Sequence, residues 1–299
     1  MKLSLPNPRD EVVIGNAVKG RSLWDDALAR LVANKAAVAS LVVLGGLALA
    51  AIVGPWLTAY DFDEVNYAVA GGTGPNADYW FGADINGRDL FTRTLIGARV
   101  SLVVGFVATF VSLVIGVAWG ATAGFLGGVV DNIMMRIVDI LYSLPFIFFV
   151  IILMVVFGTN LFLLFVAIGA VEWLTMARIV RGQTLALKER EFVEAARAIG
   201  VPTPIIIWRH IAPNLVGPVV VYVTLTIPSA ILAESFLSFL GLGVQEPLTS
   251  WGVLISEGAQ EMQTAPWMLI FPASFMAATL FCFNFIGDGL RDALDPKDR

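Results

Sequence analysis

The chain has 299 residues, of which 58% are hydrophobic and only 14% are charged, against about 25% charged in an average soluble domain. That composition excludes a soluble enzyme domain and describes a polytopic membrane protein, for which the net charge of −5 matters less than the side on which each charge lies. One cysteine, Cys282, and one histidine, His210, exclude an internal disulfide and any zinc site built from thiolates and imidazoles.

Residues 1–35 form a polar N-terminal tail in which Leu23, Ala27 and Leu31 recur at helical spacing, so the tail is expected to end in a surface helix. The apolar run Ala36 to Leu57 is too long for the core of a signal peptide and has the length of a transmembrane helix. Residues 58–98 are rich in Gly, Asn, Asp and aromatics and read as a loop on the far side, so that 36–98 comprises the first span and its loop.

Val100 to Val130 carries no charge, and Ala108, Ser112, Gly116, Gly120, Gly124 and Gly128 repeat every four residues within it. Such a small-residue ridge lets another helix approach closely, either from this chain or from a second subunit. After Asp131, Arg136 and Asp139, a break at Gly158-Thr159-Asn160 divides the next apolar stretch into helices over about 133–157 and 160–178. Ile211 to Ala233 gives a fifth span, Glu234 to Pro266 a second far-side loop, and Trp267 to Gly287 a sixth span before the tail 289–299. Pro145 and Pro228 are expected to bend the third and fifth spans. Asp139, Glu172, Glu234 and Asp288 fall near expected span ends and read as interfacial charges.

Positive charge sets the orientation, because cytoplasmic segments carry the excess of Lys and Arg. Of the 19 such residues, only Arg88, Arg93 and the boundary Arg99 lie in the two far-side loops. Both termini and the segment Gln183 to Asn214 are therefore expected in the cytosol.

That segment is a charged island between apolar runs. From Gln183 to Gly200 the residues Leu185, Phe192, Ala196 and Ile199 share one helical face, with Lys188, Glu189, Arg190, Glu194 and Arg197 elsewhere, and Arg190 with Glu194 forms an i,i+4 pair. Gly200 suits the left-handed position after a helix end and Pro202 forbids continuation. Thr203 and Pro204 read as the cap and first turn of a second short helix, which Pro213 is expected to break before the fifth span. The spacing predicts helix, sharp turn, helix.

EAARAIG at Glu194 to Gly200, followed by HIAPN at His210 to Asn214, resembles the EAA loop of permease subunits in ATP-binding-cassette importers. The resemblance continues in FGADINGRDLFTRTLIGARVSL (81–102), MRIVDILYSLPF (135–146), AESFLSFLGLGVQEPLTSWG (233–252) and FNFIGDGLRDALDPKDR (283–299), all similar to the oligopeptide and dipeptide permease branch, in its second membrane subunit. It implies an all-α polytopic membrane protein with six transmembrane helices and the type I importer permease fold, its transmembrane core at 99–288 containing a cytosolic coupling loop at 183–213. It further implies that Glu191, Phe192, Glu194, Ala195, Ala196, Arg197, Gly200, Pro202, His210 and Pro213 dock the loop into a groove of a cytosolic ATPase. Where the family has Leu before that last proline, this chain has Ala212.

The partners implied are a second permease subunit, two cytosolic ATPase subunits and a periplasmic peptide-binding protein, in a bacterial inner membrane. Lipid surrounds the spans, and no nucleic-acid partner is expected. ATP and magnesium would be bound by the partner ATPases, with no cofactor in this chain. Tyr142, Ser143, Pro145, Thr224, Thr226 and Ser229 are candidates for lining a peptide path, since small hydroxyls and bends tolerate varied side chains. GADINGRD at 82–89 has the glycine spacing of a phosphate loop, but Arg88 and Asp89 stand where Lys and Ser or Thr are required. An intramembrane peptidase would need a Ser with His, an HExxH motif or paired aspartates within spans, and the chain has none of these patterns.

Overall fold

Polar residues at the ends of apolar runs set most of the helix boundaries. The computed structural model describes residues 23–158 and 160–294, and the expected tail segments at 1–22 and 295–299 lie outside the described residues. Helix α1 (Leu23–Ala33) carries the expected surface helix, and α2 (Lys35–Leu57) the first span. Between them Asn34 accepts hydrogen bonds from the amides of Ala36 and Ala37, which caps α2 and lets the chain turn. A loop without helix then leads to Asp89, whose carboxylate accepts from both the amide and the hydroxyl of Thr92 and starts the next helix.

That helix, α3 (Leu90–Leu126), has 37 residues. At 1.5 Å per residue it is about 55 Å long, well beyond the roughly 30 Å of a hydrocarbon core. It begins ten residues before the expected start at Val100, because Arg93, which reads as loop, is buried within the fold. Helices α4 (Gly128–Ser143) and α5 (Phe146–Phe157) follow and meet at an 85° bend. The expected bend at Pro145 is thus a full break rather than a kink in one helix over 133–157. Pro145 has no amide to donate and disfavours helical backbone in the residue before it, and Leu144 takes extended backbone, so the helix ends there.

Helix α6 (Leu161–Leu187) outruns its expected end at 178, since Arg178 and Arg181 find carboxylate partners on α4 and the helix continues through them. Glu172 consequently lies inside a helix, about 17 Å from its start, and not near a helix end. The island supplies α7 (Glu191–Ala198) and α8 (Thr203–Ile206), and a wide π-helical turn at Ile207–Ile211 joins α8 to α9 (Ala212–Phe239). Pro213 does not break this helix as expected. Its missing amide follows the wide turn, in which Ala212 N–H reaches back to the carbonyl of Ile207 and the usual four-residue register is already interrupted. Pro228, where a bend is expected, sits inside α9. Helices α10 (Trp251–Gln260) and α11 (Trp267–Leu294) complete the chain.

Among the described residues all regular elements are helical, apart from one isolated β-bridge between Ala83 and Asp89. Among the described residues five helices are long and apolar enough to cross a membrane, or six when the bent pair α4 and α5 is one span. The small-residue ridge of α3 packs inside the chain, against α6. A Cβ added to Gly120 would fall on the backbone of Ala177, and one at Gly116 would come within 2.6 Å of Met176. Of the two uses open to the ridge, internal packing is the one this fold makes of Gly116, Gly120 and Gly124.

Candidate functional site

The island forms one end of the bundle, around α7. Its N-cap is Arg190, in extended backbone and outside the helix, so the expected Arg190–Glu194 pair has no i,i+4 geometry to act through. The single helix expected over 183–200 is two, because a turn at Lys188–Arg190 separates α7 from α6. The C-terminus matches expectation in detail. Gly200 has φ +79°, its amide donates to Arg197 C=O at 3.0 Å, and Val201 N–H donates to Ala196 C=O at 3.0 Å. These paired bonds form a Schellman closure, which fixes the exit angle of the chain. Pro202 rather than Thr203 caps α8, with Thr203 and Pro204 in its first turn.

Only Val193 and Ala196 of α7 are buried. They join a core cluster with Phe125 of α3, Val180 of α6, Ile206 and Ile207 at the wide turn and Leu215 of α9. Burying Val193 is worth about 1.5–3 kcal/mol and ties α7 to three long helices at once. Arg197 adds a second tie by lying over the Phe125 ring at 4.8 Å. Glu191, Phe192, Glu194, Ala195, Ile199 and Gly200 are exposed, as are Pro202, Ile205, Trp208 and Pro213 beyond them. Ile199 is 81% exposed and Trp208 59% exposed, so the expected apolar face is divided: Ala196 packs inward beside Val193, which lay outside it, while Phe192 and Ile199 point outward. His210 is half-buried on the wide turn, and its carbonyl accepts from Asn214 at 2.7 Å. The result is a short helix with two exposed carboxylates and an apolar rim, packed against three long helices.

The opposite end of the bundle holds polar clusters that sequence reasoning missed. Asp84 binds Arg88 at 2.7 Å, Arg88 reaches Glu246 at 2.9 Å, and Arg93 lies 3.3 Å from Glu257 and 3.6 Å from Asp84. Burial works against the charge of Arg88, but the hydrogen bonds to Glu246 and Asp84 more than offset it and hold the guanidinium above its ordinary pKa. Burial pushes the Glu257 carboxyl up, against the pull of Arg93 and Arg88. The network joins the first loop, the start of α3, the loop after α9, and α10. Its sequence signal is Asp84 and Arg88 four apart within GADINGRD, set aside above as a failed phosphate loop.

Glu234 is the second omission. It is fully buried in α9, and its carboxylate accepts from Ser238 and Ser250 at 2.6 Å each and from Ser101 at 3.3 Å. The expected loop therefore begins after Phe239, and this carboxylate ties α3, α9 and the cap of α10 together. Of the candidate path residues, Tyr142 and Pro145 line one cleft beside the bend. Ser143 bonds back to Ile140, Thr224 to Val221, Thr226 to Tyr222 and Ser229 to Leu225, each within its own helix. The fold does not bring Thr224, Thr226 and Ser229 into the cleft of Tyr142.

A family model described as the binding-protein-dependent transport system inner membrane component matches residues 113–299, which include α7 and both helices flanking it. The chain belongs to that family. A second model, the N-terminal TM domain of oligopeptide transport permease C, matches residues 22–75, covering α1 and α2. This permease is 57% identical over 284 residues to the oligopeptide transport system permease protein OppC of Escherichia coli strain K12, with 94% of each chain covered. It is 55% identical over 283 residues to OppC of Haemophilus influenzae, covering 94% of this chain and 91% of the relative. An inward-facing structure of the MetNI methionine ABC transporter superposes with a TM-score of 0.55 at 20% identity, covering 67% of this permease and 94% of that chain. That likeness shows the ABC importer permease fold.

Proposed function

We propose that this chain is the membrane-spanning subunit of an ATP-binding-cassette importer of oligopeptides, forming the pathway with a second permease subunit. Two cytosolic ATPase subunits supply the energy from ATP and magnesium, and a periplasmic peptide-binding protein delivers the cargo. The observation that carries this reading is α7, a short helix with an outward carboxylate and apolar rim, locked by Gly200 at its exit and by Val193 and Arg197 into the long helices. A helix laid in an ATPase groove needs that combination of exposure and rigidity, because a loose loop would dissipate the motion it transmits. Glu191, Phe192, Glu194, Ala195, Ile199 and Trp208 form the docking face, while Ala196, Gly200, Pro202, His210 and Pro213 set its shape. The excess of Lys and Arg supports a cytosolic side for α7, the start of α2 and the end of α11, with the Arg88 and Glu234 clusters at the periplasmic end as the landing surface for the binding protein.

Uptake by the assembled complex in proteoliposomes tests the reading. Peptide accumulation should require ATP and the binding protein and should be indifferent to an imposed proton gradient. Accumulation driven by a proton gradient without ATP would identify a secondary carrier instead.

A further inference from the structure

Glu172 is a carboxylate within the candidate span α6. It lines a cleft of about 550 Å3 between α6 and the bend of the broken span, with Tyr142, Pro145, Phe149 and Trp173 around it. Among the described residues no hydrogen bond or ion pair reaches its carboxylate. The cation nearest along the same helix is already engaged. Arg178 donates to Asp139 at 2.9 Å and lies 4.3 Å over the Tyr142 ring. Every other carboxylate described on α4, α6 or α9 that sits inside its helix has a partner: Asp131 has Arg181, Asp139 has Arg178 and Glu234 has its serines.

An ionisable group kept in a span without a partner is costly, and such groups mark the paths of polar cargo. The cleft has the volume of a small-ligand site and not of a packing defect. Its walls are apolar and aromatic apart from the carboxylate and Thr175, a lining that accepts aliphatic and aromatic groups while offering one strong anchor.

We propose that Glu172 is the transient anchor for an ammonium group of the transported peptide, at the break between α4 and α5. The inference rests on the importer reading and adds a cargo contact within the membrane. A terminal ammonium and a lysine side chain share the chemistry that Glu172 would recognise.

The test uses the complete complex in detergent and an apolar carbodiimide, with labelling of Glu172 read by mass spectrometry and the Glu172→Gln complex as background. Three peptides of equal length are offered at millimolar concentration: an alanine peptide with a free terminus, an N-acetylated alanine peptide, and an N-acetylated peptide with one lysine. Protection of at least threefold is expected from a peptide carrying an ammonium group and none from the acetylated alanine peptide. Protection by the first or the third assigns the source to the terminus or to the side chain. Equal protection by the neutral peptide, or none by any, overturns the inference. In proteoliposomes, Glu172→Gln should slow uptake several-fold while stimulation of ATP hydrolysis by the loaded binding protein persists. Loss of both together would mark a structural residue and also overturn it. Absence of ATP-driven uptake by the wild-type complex would defeat the importer reading alone, since the labelling result does not depend on it.

Discussion

Arg181 of α6 grips Asp131 of α4 through two parallel hydrogen bonds of 2.6 Å, Nε to Oδ1 and Nη2 to Oδ2. The guanidinium fork matches the carboxylate, and the pair fixes the start of the broken span to the helix that leads into α7. Lysine offers a point charge without the fork. Arg181→Lys is expected to cost about 1–2 kcal/mol in detergent, read as a lower unfolding temperature. A cycle with Asp131→Asn should show coupling of about 1 kcal/mol, and additive losses would mean that the two residues do not act as a pair.

Glu234 closes the far end of the bundle, and its three serine donors come from α3, α9 and the cap of α10. Glu234→Ala leaves those hydroxyls unpaired in a new cavity and should cost about 2–4 kcal/mol. Glu234→Gln keeps the volume and two of the three acceptor contacts and should cost less than half as much. Limited proteolysis between α9 and α10 provides the check, with faster cleavage in the alanine variant.

Two glycines on facing helices should respond oppositely. Gly120 of α3 has the Ala177 backbone against it, so Gly120→Ala forces α3 from α6 and should destabilise by about 1–3 kcal/mol. Gly182 of α6 has open space where a Cβ would be, and Gly182→Ala should be neutral or stabilising by up to about 1 kcal/mol. Thermal unfolding of both variants in the same detergent compares them directly.

Burial holds the Glu257 carboxyl above its unfolded value of 4.5 despite Arg93 and Arg88. A folded-state pKa raised in this way means that the native chain binds the proton more tightly than the unfolded chain. The contribution is complete below the unfolded pKa and is lost as pH rises through the folded value. The stability of Glu257→Gln should therefore change less than that of the wild type as pH rises from 4 towards neutrality. Parallel pH profiles for the two would contradict the assignment.

Much of this fold is legible in the sequence because apolar run length and helix stop signals are local. Gly200 before Val201 and Pro202 marks the end of α7 without reference to any other part of the chain, and four-residue spacing marks the ridge from Ala108 to Gly124. The misplaced span boundaries share one physical cause, which is that a charge in sequence reads as the end of a span. Arg93, Arg178, Arg181 and Glu234 all lie inside helices because partners remote in sequence neutralise or hydrogen-bond them. The donors to Glu234 come from 133 residues before it and 16 after it, a juxtaposition no local window contains. The outward face of α7 was misread for a related reason. Amphipathic spacing identifies an apolar stripe but not which part of it packs: Ala196 turns onto the core while Phe192 and Ile199 stay exposed.

The claim that α7 transmits the work of ATP hydrolysis is tested most directly by Glu194→Arg in the reconstituted complex, measuring hydrolysis and uptake in the same vesicles. Glu194 is exposed and outside the core cluster, so the variant should fold and assemble with its ATPases still able to bind ATP. Peptide-stimulated hydrolysis and uptake are expected to fall together, by tenfold or more. Uptake at the wild-type rate would contradict it.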